Sequence, residues 1–339
     1  MTLSTRRAWS AYFEDVGLPE DLVRHYTEYA SRLLRARVPV VFEVEHLSQL
    51  MGVTRDFLVS VESASGYHYR KFELKKRSGG TRTIEAPRSA LKQAQRWILY
   101  NVLAKVPIHP AAKGFARGIS IRDHGEVHLG ASRVLRMDFA DFFPSIRKGR
   151  VISLFSALGY SEAVSRCLAA LCCLDGRLPQ GAATSPAISN IVCMRFDQRL
   201  AALCEKSGWS YSRYADDVAI SGDGLRFSLV RLVERIANSE GFTIRPEKTR
   251  LFVEGSRKCL TGLIVGGEKL RVPREFKRKV AQEVYYVSKF GSLSHQAKTR
   301  RREPFLLDKL RGQLAFWLFI EPECHRALRL RSSLQSLGQ

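Results

Sequence analysis

An α+β fold is expected from three features of this chain. The stretch YRKFELKKRSGGTRTIEAP alternates, turns at Gly79-Gly80 and alternates again, as an antiparallel hairpin does. Helical periodicity fills the segments around a few short strand-like runs, with apolar residues three and four apart. Two of these helical segments can cross a small antiparallel sheet, leaving a hairpin module on one side and a helical end on the other. No internal repeat or low-complexity tract interrupts the pattern.

In chain order, residues 1–65 read as a helical extension of mixed charge. The hairpin follows from Tyr69 and ends at Pro87. LKQAQRWILYNVL then places Leu91, Ala94, Ile98 and Val102 on one helical face, and Pro107 and Pro110 close it. VLRMD (134–138) reads as a strand ended by FADFFP, with helical stretches near 147–158 and 161–174. The next helix is expected to have Ser185 as N-cap, Pro186 at its first position, a stripe of Ile188, Val192, Phe196, Leu200 and Leu203, and Gly208 beyond its end. YSRYADDVAIS (211–221) is a strand, a bend holding two aspartates, and a second strand. A helix at 227–239 turns Leu229, Val233 and Ile236 inward and stops at Gly241. Short strands fall near 248–253 and 259–265, and everything from Pro273 reads as helical.

Composition narrows the function. The 339 residues carry 55 Lys and Arg against 33 Asp and Glu, a formal charge of +22, with an ordinary 45% hydrophobic content. A folded chain this basic faces a polyanion, with an anionic membrane surface as the main rival. The longest apolar run, LAFWLFI, is far short of the ~18 residues of a membrane span, and the N-terminus has no apolar signal core. The seven cysteines form neither C-x-x-C nor a zinc spacing and read as reduced residues of a cytoplasmic protein. A secreted protein, a membrane protein and a zinc nuclease are disfavoured.

The chemistry rests on carboxylates. Asp216 and Asp217 are adjacent, and side-by-side carboxylates repel unless a cation joins them. A solvated turn would also favour Asp there, and Asp138 alone would suit a helix N-cap. Together, three carboxylates on adjacent strand ends make an oxygen-rich site of the kind Mg²⁺ prefers. Two such ions, about 3.5–4 Å apart, can activate a 3′-hydroxyl and stabilise a leaving pyrophosphate.

RMDFADFFPSI, LPQGAATSPAISN, SRYADDVAIS and GFTIRPEKTRLF, in this order, resemble the palm of a reverse transcriptase. More narrowly, the chain is similar to the bacterial retron reverse transcriptases over roughly residues 66–325, with the hairpin resembling their fingers, KCLTGLIV their V-T-G element and LRGQLAFWLFIEPE their thumb. The resemblance implies a right-hand polymerase, with an N-terminal helical extension at 1–65, fingers at 66–130, a palm at 131–265 carrying a fingers insertion near 147–178, and a helical basic thumb at 266–339. Asp138, Asp216 and Asp217 match the triad binding two Mg²⁺ ions, with the Phe139 carbonyl as a further ligand. Lys75 and Arg82 match the pair that clamps the triphosphate, and Lys76 and Arg77 lie beside them. Gln180 matches the residue contacting the incoming nucleotide, and Lys248 a lysine near the leaving group. Phe142 and Phe143 fall at the sugar pocket. On an extended segment they would face opposite ways, with Phe143 as its floor.

Two elements depart from the family pattern. Retron enzymes carry N-A-x-x-H before the first catalytic strand. Here the stretch is HGEVH, so His128 matches while His124 and Gly125 stand for Asn and Ala. Leu260 replaces the Val of V-T-G, leaving Thr261 and Gly262. His128, Thr261 and Gly262 are therefore expected at the RNA, along with Lys277, Arg278 and Lys279 of the basic end. Between Lys269 and Arg311 there are 13 Lys and Arg against four acids, interleaved with Phe276, Tyr285, Tyr286 and Phe290.

The expected function is RNA-directed synthesis of a retron's multicopy single-stranded DNA from deoxynucleoside triphosphates on a structured noncoding RNA. The resemblance implies priming from a guanosine 2′-hydroxyl of that RNA, and anti-phage defence with an effector protein. The rivals are another bacterial reverse transcriptase, defence-associated or group II intron-like, and a catalytically idle RNA-binding scaffold. An end soon after the thumb disfavours the intron reading, and the retained Asp138, Asp216, Asp217 and Gln180 disfavour the scaffold.

Overall fold

The computed structural model describes residues 5–75, 79–299 and 303–336. Helices α1 (Arg6–Asp15), α2 (Glu20–Arg35), α3 (Val44–Met51) and α4 (Arg55–Ser63) form the N-terminal extension. Leu33, Leu47 and Leu58 bury its inner side in the main core. Strands β1 (Tyr69–Lys75) and β2 (Thr81–Pro87) pair antiparallel from Tyr69↔Pro87 to Lys75↔Thr81. Helix α5 (Ser89–Asn101) follows and buries Leu91, Ala94 and Ile98 as its spacing predicts.

The centre is a four-stranded antiparallel sheet. It comprises β3 (Arg133–Asp138), β4 (Ser210–Tyr214), β5 (Asp217–Gly222) and β6 (Arg250–Phe252), in the order β4-β5-β3-β6. Alternation decides its two faces. Leu135, Met137, Val218 and Ile220 enter the main core with Phe155, Leu168 and Phe196. That core is covered by α8 (Lys148–Ala157), α9 (Glu162–Cys172), α10 (Ser185–Val192), α11 (Met194–Lys206) and α12 (Leu229–Ser239). Val134 and Ala219 point the other way, into a second core shared with the C-terminal helices. Those are α13 (Arg274–Phe290), α15 (Leu306–Ile320) and α16 (His325–Gln335), with α14 (Ser292–Thr299) between the first two in the chain. The short hairpin of β7 (Cys259–Leu260) and β8 (Leu263–Ile264) belongs to this second core, and α6 (Ile121–Glu126) precedes β3.

Two local expectations are corrected. Ser185 is not an N-cap: it lies inside α10, Thr184 precedes it, and its hydroxyl donates to the Pro179 carbonyl at 2.8 Å. The single helix expected there is two, joined at Cys193. Phe142 and Phe143 lie on a one-turn helix, α7 (Phe142–Ser145), rather than an extended segment, because Asp141 before them is left-handed with φ 43°. Among the described residues no helix is long and apolar enough to cross a membrane.

Candidate active site

The carboxylates meet at one end of the central sheet. Asp138, the last residue of β3, is the register partner of Asp217, the first of β5, and Asp216 occupies the bend between β4 and β5. Backbone bonds stitch this end together: Phe139 N–H donates to the Asp216 carbonyl at 3.1 Å, Ala140 N–H to Thr243 at 2.8 Å, and Arg245 N–H to Asp138 at 2.8 Å. The bend turns on Ala215, a non-glycine residue at φ 59°. Arg213 donates to the Ala215 carbonyl at 2.9 Å, while its guanidinium forks onto Asp197 at 2.6 and 2.8 Å. That ion pair is wholly buried, so β4 is anchored to α11 directly beneath the aspartates.

Each of two carboxylates has a cationic partner. Lys248 Nζ donates to Asp138 Oδ1 at 2.8 Å, and Arg136 Nε to Asp217 Oδ1 at 3.1 Å. Burial pushes the Asp216 carboxyl above its usual range, the charge of Asp138 adds to this, and Lys248 and Arg82 oppose it. Burial likewise raises Asp217, with Arg136 pulling down and Asp216 and Asp138 pushing up. Among the described residues no three His, Cys, Asp or Glu side chains stand together closely enough to hold a metal ion as they are. The donor chemistry nonetheless fits a divalent cation: three carboxylates supply hard oxygens at one end of the sheet, Asp138 pushes up both neighbours, and Lys248, Arg82 and Arg136 offset the repulsion.

A cavity of about 1060 Å³ opens in front of this end. Lys75 and Arg82 of the hairpin, Phe142, Phe143, Gln180, Asp216 and Lys248 all line it, as do Arg177 and Arg245. Lys76 and Arg77 lie outside the described residues. Phe139 touches the cavity, but its ring is buried against Phe242 at 4.9 Å and Phe196 at 5.1 Å. Phe142 is 5% exposed and stacked on Phe139, whereas Phe143 is half-buried and faces Phe115 across 6.0 Å.

The residues expected at RNA lie elsewhere, and two are corrected. His128 is fully buried, with its ring nitrogens 2.7 Å from Ser221 Oγ and 2.8 Å from Ser212 Oγ, so it has no surface to offer a nucleic acid. Ser212 Oγ also bonds His124 Nδ1 at 2.8 Å, and His124 Nε2 is buried without a partner. Burial lowers both imidazoles, His124 to about 4 and His128 to about 3. Lys277 is spent inside the protein, on Glu321 at 2.6 Å and over the Trp317 ring. Arg278 and Lys279 are exposed, as is Gly262 in the β7–β8 turn. Thr261 beside it has φ 46° and a buried, unpartnered hydroxyl.

Several site residues escaped the sequence reading. Arg136 had a signal, since it sits two residues before Asp138 and so shares its face. Phe115, in the glycine-flanked GFARG, and Arg245, before Pro246, had weak ones. Glu85, Arg177, Asp197 and Arg213 had none, because their partners are distant in the chain.

The family model described as reverse transcriptase (RNA-dependent DNA polymerase) matches residues 74–288. The chain is 33% identical to the Retron Mx162 reverse transcriptase of Myxococcus xanthus, over 91% of this chain and 70% of that protein. It is 30% identical to the Retron Ec86 reverse transcriptase of Escherichia coli, over 88% and 90%. The Retron Mx65 reverse transcriptase of Myxococcus xanthus is 37% identical over 69% of this chain and 61% of its own length.

Proposed function

The chain belongs to the bacterial retron reverse transcriptases and is an RNA-directed DNA polymerase of right-hand fold, and on that premise we propose how it works and on what. Its template is RNA, and its family uses divalent metal ions. The proposed substrate is a structured noncoding RNA that is both template and primer, extended from a guanosine 2′-hydroxyl into multicopy single-stranded DNA. The proposed setting is cytoplasmic anti-phage defence with an effector protein.

In this reading residues 66–130 are fingers, 131–265 palm with the 147–178 insertion, and 266–339 thumb behind the 1–65 extension. Asp138, Asp216, Asp217 and the Phe139 carbonyl would hold two Mg²⁺ ions, which would lower the pKa of the attacking hydroxyl and neutralise charge on the phosphates. Lys75 and Arg82 grip the triphosphate of an incoming deoxynucleotide, the Arg fork matching two oxygens and the Lys supplying a point charge. Gln180 orients the nucleotide, and Phe143 closes the space beside its sugar. Lys248, bonded to Asp138 at 2.8 Å, places a positive charge beside the leaving pyrophosphate. Thr261, Gly262, Arg278 and Lys279 lie toward the RNA.

The observation that carries this reading is the single cavity in which Lys75, Arg82, Gln180 and Phe143 face Asp216 and Lys248. Sequencing the nucleic acid that co-purifies with the protein tests it. One RNA joined to its own DNA copy is expected; a heterogeneous RNA pool, with extension of any primed RNA in Mg²⁺, would leave the polymerase but remove the retron substrate.

A further inference from the structure

The nucleotide side of the cavity is made of two parts that are remote in the chain, the hairpin β1–β2 and the loop between α9 and α10. They meet at Glu85. Its N–H donates to the Gln180 carbonyl at 2.9 Å. Gly181 has φ 143°, and a Cβ there would lie 2.7 Å from the Glu85 carbonyl oxygen, so only glycine lets β2 come this close. Glu85 is 4% exposed, and its carboxylate takes both arms of Arg177, at 3.0 and 2.8 Å. Lys71 stands 3.9 Å from the same carboxylate and 3.4 Å from Asp175.

A buried carboxylate beside a triphosphate site is unexpected on charge alone, because it opposes the ligand. Arg177 lines the cavity, yet its fork is committed to Glu85 rather than left for phosphate. The pair instead locks the hairpin that bears Lys75 and Arg82 to the loop that bears Gln180. We propose that Glu85 and Arg177 are positioning residues for the incoming nucleotide, setting Lys75, Arg82 and Gln180 at one spacing across the cavity. This rests on the reading of the cavity as the nucleotide site.

Steady-state primer extension by the full chain on an RNA template tests it, with deoxynucleotide KM, kcat and RNA affinity measured separately. Arg177→Met should raise KM roughly tenfold, equivalent to about 1.4 kcal/mol, with kcat and RNA affinity little changed. Arg177→Lys, with one donor direction instead of a fork, should fall between it and wild type. Glu85→Gln is the deciding variant, and its shape is conserved, so it remains measurable if Arg177→Met unfolds. Electrostatics alone would lower KM when a negative charge is removed; positioning requires KM to rise. The double variant should be no worse than the more severe single one, because the two act as a unit. A lowered or unchanged KM in Glu85→Gln, or additive effects, would overturn the proposal. So would a joint fall of kcat, RNA affinity and melting temperature, which marks a merely structural pair. Wild-type synthesis by Asp216→Asn would instead overturn the reading of the cavity itself.

Discussion

The same face of the central sheet carries two polar clusters with opposite fates. At the strand ends Asp138 and Asp217 lie opposite one another beside Asp216, which opens on the cavity, and burial raises Asp216 and Asp217. Farther along that face, Ser212 and Ser221 are closed over by His128 and His124, both buried and driven toward neutrality. One cluster holds unbalanced charge next to open space; the other consumes nearly all its hydrogen-bonding capacity internally. Polar groups of the first kind are poised for a ligand, and those of the second kind hold elements together. The contrast recurs between neighbouring residues: both Phe142 and Phe143 touch the cavity, but Phe142 is buried against Phe139 while Phe143 is half-buried, and Arg278 and Lys279 are exposed while Lys277 is bound to Glu321.

The largest expected effect is on the open cluster. Asp216→Ala with Asp217→Ala should reduce Mg²⁺-dependent extension to background while leaving thermal stability equal or higher, since carboxylate repulsion is relieved. Residual synthesis, or an unfolded variant, would erase the distinction by making these aspartates structural.

The sealed cluster should respond to pH rather than to substrate. Both histidines titrate lower in the folded chain than the ordinary 6.5, so the unfolded chain binds more protons between pH 6.5 and about 4. Their contribution to stability is complete above pH 6.5 and is lost as pH falls toward 4, at up to about 1.4 kcal/mol per pH unit for each. His128→Gln should flatten the pH dependence of the urea midpoint by one histidine's share and leave RNA affinity at neutral pH unaltered. Equal slopes in the two proteins would show that His128 is not held neutral.

Smaller effects separate the neighbouring residues. Phe143→Val should raise ribonucleotide over deoxyribonucleotide incorporation while DNA synthesis persists, measured as a ratio of kcat/KM values on one primed template. Phe142→Val should leave that ratio alone and cost stability, toward the roughly 3–5 kcal/mol of a full Phe→Ala truncation. The larger change of ratio in Phe142→Val would reverse the assignment.

The smallest effect is on salt dependence. Arg278→Glu and Lys279→Glu should each lower the slope of log RNA affinity against log salt by about 0.7–0.9. Lys277→Glu should lower the melting temperature instead, because it sets two carboxylates against each other at Glu321. An unchanged slope in the first two would put the RNA on another surface.

Much of this molecule could be read from the chain. Hairpin alternation, the buried stripe of Leu91, Ala94 and Ile98, and the strand–bend–strand around Asp216 and Asp217 are local patterns. Local patterns determine which element forms and which face a residue occupies, because backbone periodicity is set over a few residues. Lys75, Arg82, Gln180, Phe143, Asp216 and Lys248 come together instead through the resemblance to reverse transcriptases, and they line one cavity. Reading the chain failed where the partner of a side chain was at issue. His128 and Lys277 were assigned to RNA on motif and charge, yet Ser212, Ser221 and Glu321 claim them. An extended segment is expected at Phe142 and Phe143, and a left-handed Asp141 starts a helical turn there.

By itself, then, the sequence determined an α+β chain with its carboxylates at strand ends and an excess of positive charge. Only the tertiary structure decided which charges stay free. Glu85 with Arg177, Asp197 with Arg213 and Asp138 with Lys248 are chosen by how hairpin, loop and sheet close on one another. A charge finds its partner through space, where burial makes an unpaired group costly, and no periodicity along the chain encodes that distance.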